Sequence, residues 1–123
     1  MKRKEVYMRT VRDILINLKD KSDDGITIVK GDNDKLFISY KELYTQASLQ
    51  LNQLNRLGVH SRQELIIIFE DLENFIYLFW ACILGGIIPI PVSLESSSTE
   101  KVISILPYCI NPSVFCNKKS VVE

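Results

Sequence analysis

The spacing of apolar residues along the chain changes several times, and each change marks an element. Over residues 10–18, Val11, Ile14, Leu15 and Leu18 recur at helical spacing behind Thr10, a candidate N-cap with Asp13 three residues on, so a short amphipathic helix is expected. A polar stretch, 19–25, follows. Residues 26–29 and 36–38 are then β-rich runs separated by Lys30, Gly31, Asp32, Asn33, Asp34 and Lys35, the pattern of a hairpin. Ser39 with Glu42 has the spacing of a capping box. Behind it Tyr40, Leu43, Tyr44, Ala47, Leu51, Leu54 and Leu57 form one apolar stripe that ends at Gly58, predicting a long helix with one packed face.

Residues 65–69 are a continuous apolar run of five between Glu64 and Glu70, as expected of a central strand covered on both faces of a parallel sheet. Asp71 is placed to cap the next helix. Its residues Leu72, Phe75, Ile76, Leu78, Phe79, Trp80, Ala81, Cys82, Ile83 and Leu84 are apolar nearly all round up to Gly85 and Gly86, which predicts deep burial. Residues 87–92 read as a short strand in which Pro89 and Pro91, two apart, direct their missing N–H groups to one side, so that side is not fully paired. After a serine-rich loop over 93–98, Ser97 with Glu100 suggests a second capping box opening a helix through Val102, Ile103, Ile105 and Leu106, ended or kinked by Pro107. Residues 113–116 read as another buried strand, and 117–123 as the start of an element with no visible end. From residue 36 onward strand and helix alternate with short connections, giving βαβαβαβ and a mainly parallel α/β sheet flanked by helices, preceded by a short helix and a hairpin.

Composition fits one globular domain. The chain has 123 residues, 46% of them hydrophobic, and only 9 are Gly or Pro, which excludes collagen-like, low-complexity and disordered classes. Its 15 basic and 15 acidic side chains cancel and no long basic run follows Lys2, Arg3 and Lys4, which argues against nucleic-acid binding. Residues 1–64 carry 12 basic and 9 acidic groups and residues 65–123 only 3 and 6, so the second half is the more buried one. Cys82, Cys109 and Cys116 have neither CxxC nor zinc spacing, the usage of reduced thiols packed as small hydrophobes in a cytoplasmic protein. No secretion signal opens the chain. The 21 uncharged residues 74–94 have the length of a membrane span, but Gly85, Gly86, Pro89 and Pro91 interrupt them and no Lys or Arg flanks them; a buried helix turning into a buried strand explains the same letters.

Candidate chemistry is sparse. The chain lacks GxGxxG, a Walker-type phosphate loop, HExxH and GxSxG. A single histidine, His60, stands after the long helix, where an exposed loop residue is expected and no His-based metal cluster forms. Glu70, Asp71 and Glu73 fall at the C-terminal edge of a parallel strand, where open α/β sheets bind ligands, but acidic residues there also serve a helix N-terminus. Tyr77 and Trp80, in an apolar helix, read as core.

Two stretches carry a resemblance. Ile38, Ser39, Tyr40, Lys41, Glu42 and Leu43, followed by a long helix to Leu57, Gly58 and Val59, resemble the first core motif of the adenylate-forming superfamily: the acyl-CoA synthetases, fatty acyl-AMP ligases and adenylation domains of nonribosomal peptide synthetases. The run from Phe79 through Trp80, Ala81, Cys82, Ile83, Leu84, Gly85, Gly86, Ile87, Ile88, Pro89, Ile90 and Pro91 to Val92 resembles the second, with Gly86 and Pro91 on the motif's glycine and proline. The similarity covers roughly residues 10–116, with 1–9 as a flexible N-terminus. Gly85 replaces the family's usual alanine, Pro89 is additional, and the Asp-Pro and Tyr-Pro signatures of amino-acid-activating members are missing around residues 93–101, which leans toward an acyl or hydroxy-acyl carboxylate.

The resemblance implies an N-terminal part of a larger ligase in which ATP and Mg²⁺ convert a carboxylate to an acyl-adenylate, and the acyl group passes to the thiol of CoA or of a carrier protein's phosphopantetheine arm. The family's phosphate loop, magnesium ligand, ribose-binding Asp and C-terminal Lys all lie downstream of the second motif. No catalytic, cofactor-binding or metal residue is therefore assigned, and Ser39, Tyr40, Glu42, Leu43, Gly86 and Pro91 transfer as scaffold positions only. The segment alone is expected to be inactive, with the rest of the parent polypeptide as its partner and an exposed apolar interface that invites self-association. The alternative is a complete, non-catalytic flavodoxin-like binding module, which would place a ligand beyond strand ends such as Glu70.

Overall fold

The computed structural model describes residues 10–93 and 98–116. The expectations for 1–9 and 117–123 and the proposed Ser97 cap lie outside the described residues. Helix α1, Val11–Leu18, opens on the full capping box: the Thr10 hydroxyl accepts from the Asp13 N–H, and the Asp13 carboxylate accepts from the Thr10 N–H. Of its predicted stripe Leu15 is buried, whereas Val11 and Ile14 are half exposed and Ile16 packs on the core instead.

Strands β1, Gly25–Val29, and β2, Lys35–Ser39, form the antiparallel hairpin, with Ile26 opposite Ile38 and Ile28 opposite Leu36. Here the continuous βαβαβαβ expectation is corrected. β2 does not join the parallel sheet; among the described residues its only strand partner is β1, and the hairpin is a separate two-stranded sheet. The physical reason lies in Ser39, at once the last residue of β2 and the N-cap of α2, Tyr40–Arg56. With no connecting residues between strand and helix, α2 leaves directly from the hairpin and packs on it and on the helix that follows β3. The Ser39 cap is also half of what its spacing suggested: its hydroxyl accepts from the Glu42 N–H at 3.0 Å, but the Glu42 carboxylate accepts from Gln46 instead of closing the box.

Among the described residues the parallel sheet holds three strands in the order β4-β3-β5, with β3, Glu64–Phe69, in the centre as expected. Leu65, Ile66 and Ile67 are at most 1% exposed. Strand β4, Ile88–Ser93, is an edge. Its Ile88 N–H donates toward β3 at the Gln63 carbonyl, so by strand alternation Pro89 and Pro91 face the open side, where a missing N–H costs nothing. Helix α3, Leu72–Gly85, joins β3 to β4; α4, Ser98–Ile105, and a 3-10 turn, Leu106–Tyr108, lead back past β3 to β5, Pro112–Cys116. The strand order makes the two crossovers run in opposite directions, and with the usual right hand α3 and α4 fall on opposite faces of the sheet.

Register separates the two faces. Leu65, Ile67, Phe69 and Phe115 pack with α2 and α3 in the main core, together with Leu43, Ala47, Leu54, Leu78, Ala81 and Cys82. On the opposite face Ile66 is aligned with Ile90 and Val114, and Ile68 with Val92 and Cys116. The expected deep burial of α3 is corrected by this layering. Leu78, Ala81, Cys82 and Leu84 are buried, but Leu72 is exposed and Ile76, Phe79, Trp80 and Ile83 are half-buried, because α2 and the sheet meet only one side of the helix.

Candidate functional site

The residues singled out from the sequence fall mainly at three places, the start of α2, the C-terminal edge of the sheet and the junction where α3 becomes β4. At the edge, Asp71 caps α3: its carboxylate accepts from the Glu73 N–H at 3.3 Å and from the Asn74 side-chain amide at 2.8 Å. Glu73 in turn accepts from the Tyr77 hydroxyl. Burial first, then that hydrogen bond and the Glu73 charge, push the Tyr77 phenol up to about 12. These carboxylates are thus engaged in building a helix start. Phe69 at the end of β3 stacks on Phe75 with ring centroids 4.2 Å apart, and Phe75, Phe79 and Trp80 continue as a ladder of ring contacts along α3. Trp80 and Tyr77 pack against the main core, as their sequence setting suggested.

At the junction Gly86 does three things. It closes α3 in the left-handed conformation, with φ of 70°, and its N–H and that of Ile87 both go to the Cys82 carbonyl. Its own carbonyl accepts from the Arg62 N–H at 2.8 Å, fastening the loop that enters β3 to the loop that enters β4. A Cβ at this position would lie 2.9 Å from the Ser61 hydroxyl oxygen. Sequence reasoning passed over Arg12, whose Nε donates to the Leu84 carbonyl at 2.9 Å and so supplies a cation to the end of a helix without a basic residue in its last turn. Its partner lies 72 residues away, and no local signal announces it. Also missed was Glu64, whose Oε1 accepts from both the Ile110 and Asn111 N–H groups and ties the approach of β5 to the start of β3. His60, in the loop before β3, uses its backbone N–H to bond the Gln63 side chain.

Two cavities accompany these places. A cleft of about 260 Å³ lies between Gln50, Asn74, Leu78 and Phe115. A shallower one of about 460 Å³ lies under α1, lined by Val11, Arg12, Ile83, Gly86, Ile88 and Pro89 among others. Neither offers the glycine-rich backbone cradle, lysine and carboxylates that a nucleoside triphosphate and its metal need. Among the described residues no group of three or more His, Cys, Asp or Glu side chains is placed to hold a metal ion, and no helix is long and apolar enough to cross a membrane.

No protein-family model matches the chain. Among solved structures it is similar to McyG A-PCP complexed with phenylalanyl-adenylate, at 31% identity and a TM-score of 0.79 over 94% of this chain and 22% of that one. It is also similar in fold to the adenylation domain of a keto acid-selecting peptide-synthetase module bound to keto acyl adenylate, at 23% identity and a TM-score of 0.76 over 89% of this chain and 21% of that one. A third likeness is to the fatty acid AMP ligase from Legionella pneumophila, at 16% identity and a TM-score of 0.74 over 87% of this chain and 19% of that one. The chain spans about a fifth of the length of these structures. Ser39 stands at the head of α2, Gly86 at the turn from α3 into β4 and Pro91 within β4. The chain therefore has the fold of a segment of the adenylate-forming superfamily, that of peptide-synthetase adenylation domains, fatty acyl-AMP ligases and related AMP-binding enzymes.

Proposed function

We propose that this chain is the N-terminal scaffold of an ATP-dependent carboxylate-activating ligase. The enzyme forms an acyl-adenylate and passes the acyl group to the thiol of CoA or of a carrier protein. The observation that carries the reading is the likeness, at 31% identity over 94% of the chain, to a protein complexed with an aminoacyl-adenylate. The two motif segments support it by meeting in space, as α2 packs on α3. ATP and Mg²⁺ are bound by residues beyond this segment, and the segment by itself does not adenylate. The carboxylate is of the fatty, hydroxy or amino acid kind, and the three free thiols support a cytoplasmic setting.

The test has two parts. An antibody raised against residues 10–116 is used to recover the natural polypeptide from fractionated cells, and carboxylate-dependent exchange of labelled pyrophosphate into ATP is measured on it and on the 123-residue chain. A band several times heavier than 14.1 kDa that supports exchange, beside an inert 123-residue chain, is the expected result. Exchange by the 123-residue chain would overturn the scaffold reading, and a natural product of 14.1 kDa without exchange would overturn the ligase reading.

A further inference from the structure

Helices α2 and α3 turn different surfaces outward. The exposed residues of α2 are Lys41, Glu42, Thr45, Leu49, Asn52, Gln53, Asn55 and Arg56, polar at every position but Leu49, as a helix with one wet side requires. Helix α3 has no such side. Its one charged residue is Glu73, which accepts from the Tyr77 hydroxyl. At about 100° per residue, Leu72, Ile76, Phe79 and Ile83 (i, i+4, i+7 and i+11) fall within about 60° of arc, turned away from the buried Leu78 and Ala81. By the same geometry Phe75 and Trp80 flank this stripe, so no charge interrupts it from end to end of the helix. None of the four is buried: Leu72 is 45% exposed and the others are half-buried. At its far end Ile83 lines the cavity under α1, where Val11 and Ile88 are half exposed as well.

We propose that this outward stripe of α3 is a docking face for the rest of the polypeptide, on which a further layer presenting an uncharged, apolar face lies across Leu72, Ile76, Phe79 and Ile83. The inference rests on the reading of this chain as part of a larger ligase, and it names the surface at which the two parts meet. A helix apolar all round belongs between layers, and α2 with the sheet supplies only one of them. The chain spans about a fifth of the structures it is similar to, so a parent of that length carries ample chain to supply the other. A layer tethered in the same polypeptide docks at high effective concentration, without needing the area that a separate partner must bury. A charged occupant would lose hydration against this stripe with no opposite charge to meet.

Hydroxyl-radical footprinting of the natural polypeptide recovered with the antibody, beside the 123-residue chain, tests the proposal. Leu72, Phe79 and Ile83 are expected to label at least about threefold more slowly in the longer polypeptide, as core positions of an interface do, while Leu78 labels equally slowly in both. Labelling in the 123-residue chain should hold constant over about a twentyfold range of its own concentration. Equal labelling of the stripe in the two proteins overturns the proposal, and so does protection that slows Leu78 as much as Phe79, because that reports folding and not a docked layer. Labelling of the 123-residue chain that falls with its concentration to the level of the longer protein makes a second copy the occupant and also overturns it. A natural product of 14.1 kDa removes this inference and the ligase reading together, whereas a longer product that is protected at the stripe but inert in pyrophosphate exchange removes the ligase reading alone.

Discussion

Replacing Gly86 by alanine separates a backbone requirement from an ordinary propensity effect, because the two have opposite signs. At a site of compatible conformation, Gly→Ala stabilises a protein by about 0.4–1 kcal/mol through the unfolded chain. Gly86 is not such a site: its φ is 70°, where an L side chain costs roughly 1–2 kcal/mol. The new Cβ would also sit 2.9 Å from the Ser61 Oγ, a contact at the end of a side chain that yields by rotating. Backbone strain outweighs the gain through the unfolded chain, and Gly86→Ala is expected to lower stability by about 1 kcal/mol net, with an unfolding midpoint lower by roughly 3–5 °C. Urea and thermal unfolding of the 123-residue chain measure this directly. Pairing the change with Ser61→Ala tests the partition: the double variant should recover only the small contact part, a few tenths of a kcal/mol. If Gly86→Ala is neutral or stabilising, or if Ser61→Ala rescues most of the loss, the junction is not fixed by the left-handed glycine and the reasoning fails.

Two further outcomes follow from single side chains. Glu64→Leu removes the acceptor shared by the Ile110 and Asn111 N–H groups, and about 1–3 kcal/mol should be lost, with amide exchange in residues 110–116 accelerating first, whereas Glu64→Gln, which keeps an oxygen in place, should lose much less; equal losses in the two variants would show that the contact does not hold β5. Alkaline pH should destabilise the fold, because burial pushes the Cys82 thiol up to about 12 and the Tyr77 phenol, mainly through burial, to about 12 as well. Both groups are protonated in the folded chain at pH values where the unfolded chain has released the proton, so stability is full below about pH 8.5 and falls as pH rises toward 12. Cys82→Ala should flatten that limb of a pH-dependent unfolding series, and a limb of unchanged slope would remove Cys82 as its cause.

Local chemistry made most of this fold legible. The Thr10 and Asp71 caps, the apolar run of β3, the stripe of α2 and the paired prolines of β4 each state a backbone or burial requirement within a few residues. What the sequence did not announce is relational. The hairpin's separation from the sheet depends on α2 starting at Ser39 with no connecting residues, which a pattern of runs and breaks does not record. The half-exposed side of α3 could not be read either, since residues apolar all round a helix do not say which neighbours reach it. Arg12 with Leu84 and Glu64 with Ile110 and Asn111 are contacts across 72, 46 and 47 residues, without a shared motif. The candidate site follows the same division. Asp71 after β3 was visible, and so was its duty as a helix cap, whereas the junction around Gly86 was visible only as letters of a motif and became a physical device once Ser61, Arg62 and Cys82 were seen around it.

Beside that junction, Gly85 answers to a packing requirement of its own. In α3 a Cβ at Gly85 would lie 2.3 Å from Leu51 Cδ1, so the α2 side chain already fills the space that an alanine would need. The glycine and the leucine are two halves of one helix-to-helix contact, contributed by the two motif segments. Alone, Gly85→Ala gains about 1 kcal/mol of helix propensity and overpacks the interface, at a cost typically of about 1–3 kcal/mol, so a net loss is expected. Leu51→Ala alone opens a gap between α2 and α3 and also destabilises. Combined, the alanine methyl enters the space the leucine leaves, and the double variant should be more stable than the sum of the singles predicts, by more than about 0.5 kcal/mol. Urea unfolding of the four proteins in that cycle decides the matter. Strict additivity would mean that α2 and α3 are not packed through this pair, and the account of the glycine at this position would have to be abandoned.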